Sequence, residues 1–237
     1  MLGWFSKKEK VHLKVDIHSH LLPGIDDGVN SFEESISILK AFEQLGFKKL
    51  ITTPHIYKEY YPNTREIILD KLSLLQEKVE EAKLGIRVEA AAEYFMDEHL
   101  IELLGGDSPL LSFGQFNYVL IETAFYTRPI IFDETIFKLK SKGYTPVLAH
   151  PERYYYLEKD LGWLKKIREN GVKLQVSLPS LRGAYGPEVK DVARRLTKEH
   201  MVDFLGSDIH RRAQMSIVRD ALNMRLIPQN LLNESLL

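Results

Sequence analysis

The sequence predicts an α/β protein built on a parallel sheet, and three observations carry that expectation. Strand-like and helix-like segments alternate seven times along the 237 residues. Most of the strand-like segments are near-continuous apolar runs, such as NYVLIET, TPVLAH and VDFLGSD, as strands covered by helices should be. Length and composition agree, since 44% hydrophobic and 27% charged residues suit one folded domain over 1–237, a size at which α/β barrels form single units. Alternation alone does not choose between a closed barrel and an open sheet.

The elements follow in order. MLGWFSKKEK, residues 1–10, reads as a flexible start. The apolar patch at Trp4 and Phe5 is too short for a signal peptide, and a frayed terminus is preferred to a membrane contact. HLKVDI is the first strand, after which Ser31 and Glu34 form a capping-box signal for the helix FEESISILKAFEQLG, stopped by Gly46. KKLITTP is the second strand. A tyrosine-rich loop, IYKEYYPN, leads to a helix from Arg65 to Gly85 with Ile68, Leu72, Leu75 and Val79 on one face. IRVEAAAEY is the third strand, a short helix near Met96 to Leu104 follows, and NYVLIET is the fourth strand. Pro129 to Gly143 is helical before TPVLAH, residues 160–170 are helical before VKLQVSL, and Pro187 opens a helix at a position proline tolerates. VDFLGSD is the seventh strand, and a last helix starts near Ala213.

Composition removes several classes of function. A net charge of −1 gives no broad attraction to nucleic acid or to an acidic membrane surface. With no cysteine, disulfides, thiolate metal sites and cysteine nucleophiles are all excluded. No run approaches the length of a membrane span, so a cytoplasmic protein with no stable membrane insertion is expected.

The strands end in ligand-type residues. The first runs into Asp16, His18 and His20, the second into His55, the third into Glu93, the fourth into Glu122, the fifth into His150, and the seventh into Asp208 and His210. A lone histidine after a strand is usually structural, but six strand ends repeating the pattern are not a coincidence of one side chain. In a parallel barrel these ends share one face, where active sites are built. His12, His99 and His200 fall outside the pattern and are read as structural. Five imidazoles with carboxylates and no sulfur suit manganese, iron or zinc, and so many donors suggest more than one ion. Paired ions about 3.5–4 Å apart are a common device for hydrolysing phosphate esters. Arg153, three residues past His150, and Arg211 and Arg212, directly after His210, are candidate phosphate-binding cations.

Taken together, DIHSHLLPGIDDG, TPH, AAEYF, VLIET, AHPERY and GSDIH resemble the PHP superfamily, and within it the bacterial tyrosine-protein phosphatases of capsular and extracellular polysaccharide synthesis, the CpsB/CapC/YwqE-like group. The resemblance spans nearly the whole chain. It implies a distorted parallel (β/α)7 TIM-like barrel, the PHP fold, with three divalent metal ions, manganese before iron or zinc. By motif, His18, His20, Glu93 and Asp208 would hold the first ion. Glu93 would bridge to a second, completed by Glu122 and His150, and Asp27, His55 and His210 would hold the third. Arg153 matches the family arginine that contacts phosphate. Asp16 is assigned to orienting a histidine, and Asp26 is left unassigned beside Asp27. Family members often carry Asn after the last D-x-H and a second arginine further on, whereas RRAQ follows here, so Arg211 or Arg212 is a candidate substitute.

The implied function is metal-dependent hydrolysis of phosphotyrosine by attack of a metal-bound hydroxide, on a substrate such as the tail of a bacterial tyrosine kinase. Tyr57, Tyr60, Tyr61 and Tyr154 to Tyr156 could stack on the substrate ring, with local loop packing as the equal alternative. The enzyme rivals are a histidinol-phosphate-type phosphatase, a phosphodiesterase and an amidohydrolase; the non-enzyme rival is a metal-bound scaffold. Oligomeric state is left open, and LIPQNLLNESLL is expected to pack within its own chain.

Overall fold

The computed structural model describes residues 13–157, 161–224, 227–228 and 230–237. Trp4, Phe5, His12 and the expected flexible start lie outside them. Among the described residues, nine strands and eight α-helices follow one another in an α/β succession. The strands are β1 (Val15–Asp16), β2 (Lys49–Thr52), β3 (His55–Ile56), β4 (Arg87–Ala90), β5 (Glu93–Phe95), β6 (Tyr118–Glu122), β7 (Thr145–Ala149), β8 (Lys173–Ser177) and β9 (Phe204–Gly206). The helices are α1 (Phe32–Gln44), α2 (Arg65–Glu81), α3 (Glu98–Gly105), α4 (Phe132–Ser141), α5 (Gly162–Glu169), α6 (Leu178–Arg182), α7 (Pro187–Lys198) and α8 (Met215–Leu222). No helix among these residues is long and apolar enough to cross a membrane.

All the paired strands are parallel, in the orders β1-β2-β4 and β3-β5-β6-β7-β8-β9. The third expected strand is broken in two, β4 and β5, and the second, which holds β2, is followed past its expected end by β3, at His55 and the start of the expected tyrosine-rich loop. Pro54 has no N–H to give to a ladder, so pairing lapses at Thr53–Pro54 and at the facing Ala91–Ala92, then resumes with His55 opposite Glu93. Single bonds carry the path across the gap, from Ala91 N to Thr52 O and from Glu93 N to Pro54 O. Past the end of β1, Asp208 N donates to His18 O at 2.7 Å and His20 N to Ile209 O at 2.9 Å. These bonds join the exit of the last strand to that of the first.

Period-two alternation sorts side chains between two faces. The outer face packs against helices whose apolar residues recur at helical spacing, including Ile38, Leu39 and Phe42 of α1 and Val189, Val192, Ala193 and Leu196 of α7. The inner face forms a second cluster from Val15, Ile17, Ile51, Ala91, Leu120, Val147 and Phe204. The same inward columns turn polar at the strand exits: Leu120 is followed by Glu122, and Ala91 by Glu93.

Local signals hold in most places. Ser31 caps α1 through its Oγ, but the reciprocal half of the capping box is not formed, because Glu34 Oε1 accepts from Arg212 N instead. Gly46 follows α1 at φ 97°, a conformation that favours glycine. The C-terminal segment does pack within the chain. Asn233 is fully buried, donating to Val15 O at 2.9 Å and Leu205 O at 2.8 Å while accepting from Leu205 N at 3.0 Å, and so stitches β1 to β9 from the end opposite the site. Replacing Asn233 by Ala leaves these groups without partners and should cost about 2–3 kcal/mol, read as a lower urea midpoint with unchanged slope. An unchanged midpoint would mean that this segment gives the strands no support.

Candidate metal centre

Asp16 apart, the ligand-type residues named from the strand ends meet in one place. His18 Nε2 lies 3.1 Å from Glu93 Oε2, 3.2 Å from Asp208 Oδ1 and 3.3 Å from His20 Nε2. His150 Nε2 lies 2.9 Å from Glu93 Oε1 and 3.9 Å from Glu122 Oε2. His55 Nδ1 stands 3.0 Å from Glu122 and 3.2 Å from Glu93, while Asp27 Oδ1 is 3.4 Å from both His55 Nε2 and His210 Nε2. Among the described residues, four sets have donor atoms within 4.8 Å of one another: His20, Asp27, His55 and His210; His18, His150 and Asp208; His18, His20 and Glu93; and His55, Glu93 and Glu122. Glu93 and His18 are wholly buried, His55 and His210 are half-buried, and Asp27 is exposed, so the cluster runs from interior to mouth. Two members carry backbone that non-glycine residues seldom adopt, His150 at φ 30° and Asp208 at φ 50°, and such conformations concentrate at functional sites.

The imidazoles are oriented from behind. His18 Nδ1 meets Gln175 Oε1 at 2.9 Å, His20 Nδ1 meets Asp26 Oδ2 at 2.7 Å, and His210 Nδ1 meets Asp208 O at 3.0 Å. A ring that donates Nδ1–H to such an acceptor turns its Nε2 lone pair toward the shared space, the arrangement used by metal-binding histidines. Electrostatics follow from crowding. Burial disfavours charge on His20 and His55, yet Asp26 in one case and Glu93 and Glu122 in the other hold them well above the ordinary histidine range. Burial likewise opposes charge on Glu93 and Asp208, but His18 and His55 around Glu93, and Arg153 and His18 around Asp208, keep both well below the usual carboxylate range.

The profile of the family described as capsular polysaccharide synthesis, CpsB/CapC, matches residues 14–222. The chain belongs to the CpsB/CapC family. The putative tyrosine-protein phosphatase CapC of Staphylococcus aureus is 29% identical over 196 residues, covering 83% of this chain and 76% of that protein. Tyrosine-protein phosphatase YwqE of Bacillus subtilis (strain 168) is 30% identical over 196 residues, covering 83% and 77%. Among solved structures, one from a study of YwqE from Bacillus subtilis and CpsB from Streptococcus pneumoniae, described as unique metal-dependent tyrosine phosphatases, matches with TM-score 0.78. Its sequence is 27% identical, and the match covers 90% of this chain and 89% of that one.

In this CpsB/CapC chain the three candidate arginines occupy different surroundings. Arg153 is largely buried beside the cluster, paired with Asp208 Oδ2 and donating to Tyr185 OH at 2.9 Å and Ser177 Oγ at 3.2 Å. Arg211 Nη1 donates to Gly28 O and to His210 O, bracing the loop that carries Asp27. Arg212 turns toward α1, where its Nε meets Ser37 Oγ at 3.1 Å. The tyrosines divide similarly. Tyr154 is buried with its hydroxyl accepting from Thr123 N, Tyr57 stacks on Phe95 at 4.0 Å, and Tyr61 stacks on His55 at 5.3 Å. Tyr60 is exposed, and Tyr155 is exposed in a stack with Tyr126 at 4.8 Å.

Several residues of the CpsB/CapC centre escape a reading of strand ends. Gln175 sits mid-strand in VKLQVSL, on the face it shares with Lys173 and Ser177, while Leu174 and Val176 pack on the helix side. Asp26, left unassigned from sequence, is the aspartate that holds His20 and also accepts from Gly28 N and His55 N. Asp16 does not orient a histidine side chain as expected. It accepts from Ser207 N and Ser207 Oγ, each at 2.7 Å, because from β1 its nearest donors belong to the turn leaving β9. Outside the centre, His99 pairs with Glu102 on the surface. Gln175→Leu keeps the volume but strands a buried imidazole N–H. It should destabilise the protein by about 1–3 kcal/mol, measured by urea unfolding, and a smaller loss would show that His18 is held by other contacts.

Proposed function

We propose that the chain is a metal-dependent phosphomonoesterase that releases phosphate from phosphotyrosine in a protein. The observation that supports this reading is the gathering of eight His, Asp and Glu side chains from six expected strand ends, together with Asp27, beside one largely buried arginine. The donor set suits divalent cations. His18 and His20 face each other through Nε2 at 3.3 Å, and His150 Nδ1 is buried without a hydrogen-bond partner. In the reading, His18, His20, Glu93 and Asp208 hold a first ion, Glu93, Glu122 and His150 a second, and Asp27, His55 and His210 a third. Manganese is the expected ion, and iron and zinc are compatible with the same donors.

Bound cations supply Lewis acidity and positive charge for phosphate oxygens. The chain's own part is to bind and orient. Arg153 offers a planar fork of donors to phosphate oxygens. Arg211 and Arg212 are the remaining candidates for phosphate contact, Arg211 from its place against Gly28 and Arg212 from beside α1. The leaving phenolate of tyrosine has a parent pKa near 10, so it departs without a strong acid from the protein. The chain has no cysteine, which excludes the thiolate route to the same product. Tyr60 and Tyr155 present exposed rings to a substrate ring.

The wider reading is of one domain over 1–237, its strands closing as a distorted seven-stranded barrel, acting in the cytoplasm on the tail of a tyrosine kinase of polysaccharide synthesis. The bonds between the exits of β1 and β9, and the capsule-synthesis family with its phosphatase relatives, support it.

Purified protein loaded with manganese should hydrolyse p-nitrophenyl phosphate and a phosphotyrosine peptide, and EDTA should abolish both activities. His18→Ala should lower kcat/KM by roughly a hundredfold or more while the protein stays folded by circular dichroism. Faster turnover of histidinol phosphate or of a phosphodiester, or activity indifferent to chelation, would overturn the reading. Tyr60→Ala and Tyr155→Ala should raise KM for aryl phosphates more than for alkyl ones, and equal effects would return these rings to loop packing.

A further inference from the structure

Arg153 is the cation set beside the cluster, and its support has two parts. One is Asp208, whose Oδ2 it contacts. The other oxygen of that carboxylate faces His18 at 3.2 Å and His20 at 3.4 Å, so Asp208 belongs to the crowded centre itself. An arginine held by Asp208 alone would lose much of its hold whenever that carboxylate is drawn to another positive charge.

The second part is Tyr185. Its ring lies against the Arg153 guanidinium, 3.9 Å from centroid to Cζ, and its hydroxyl accepts from Nη2 at 2.9 Å, beside Ser177 Oγ at 3.2 Å. The loop that carries the ring is constrained on both sides. Gly183 at φ 89° ends α6, and Gly186 at φ 102° precedes Pro187, the first residue of α7. Both glycines occupy backbone that a side chain would strain, and Pro187 has a fixed φ. Tyr185 is 37% exposed, so the ring also borders the mouth of the site. Arg153 Nε is buried without a hydrogen-bond partner, which leaves the ring stack and the Nη2 contacts to set the plane of the guanidinium.

We propose that Tyr185 is the positioning residue for Arg153, a ring-and-hydroxyl cradle that keeps the guanidinium at the mouth when Asp208 is engaged elsewhere, and so sets the affinity for a phosphate group. The phosphate half of this proposal rests on the phosphoesterase reading; the cradle does not.

Two measurements on the whole protein separate these. In 15N-resolved spectra the Arg153 Nε–H signal should carry a ring-current shift that persists in Tyr185→Phe and vanishes in Tyr185→Leu. With manganese-loaded protein and inorganic phosphate as competitor, Tyr185→Leu should weaken inhibition roughly tenfold, and Tyr185→Phe should stay within about fivefold of the parent. In an Arg153→Ala background, Tyr185→Leu should add nothing. A parent protein without the ring-current shift overturns the cradle. So does a Tyr185→Leu loss that is as large with Arg153→Ala as without it, because Tyr185 would then act independently of Arg153. A normal ring-current shift in a protein that neither binds phosphate nor turns over aryl phosphate overturns the phosphoesterase reading, and the phosphate half of the proposal with it.

Discussion

His18 and His20 turn their Nε2 atoms on each other at 3.3 Å while Glu93 and Asp208 press into the same space, and none of the four is more than marginally exposed. Groups taken this far out of water are tolerable only when each charge meets an opposite one. The arrangement meets that condition by mixing imidazoles and carboxylates almost contact by contact, with Arg153 closing the set on one side. Any slackness in the scaffold would separate the partners and leave single charges buried, so the rest of the fold can be understood as the means of holding them still.

That rigidity comes from below and from behind. Below, the inward columns are packed with Val15, Ile17, Ile51, Leu120, Val147 and Phe204, so the polar ends of the strands stand on a close-packed base. Behind, Gln175, Asp26 and the Asp208 carbonyl fix three imidazole rings. Gly206 contributes by what it lacks, since a Cβ there would lie 2.6 Å from His18 Cβ and 2.9 Å from Gln175 Nε2. The last strand therefore approaches His18 more closely than any other residue would allow.

Much of this was legible in the residues because two regularities coincide. Apolar runs mark strands, and a parallel sheet puts all strand exits at one end, so His55, Glu93, Glu122, His150 and Asp208 could be grouped without coordinates. What escaped detection depends on side-chain direction and on partners distant in sequence. Pro54 interrupts the pairing so that the facing strand, continuous in sequence, splits into β4 and β5. Asp26 and Asp27 are indistinguishable as letters, yet one is directed inward to His20 and the other outward to His55 and His210. Arg211 and Arg212 are likewise adjacent, and extended backbone at Arg211 sends one toward Gly28 and the other toward α1. Tyr185 gave no signal beyond two flanking glycines, since its partner Arg153 lies on a separate loop.

The backbone link between His18 and Asp208 has a kinetic consequence. These residues stand 190 positions apart in the chain, and contacts of such separation must overcome loop-closure entropy before they return any stability, which slows folding. Closing the seam beside His18 therefore adds to the entropy that folding must overcome. The donor set is complete only where β9 has docked on the exit of β1, since Asp208 comes from the far end of the chain.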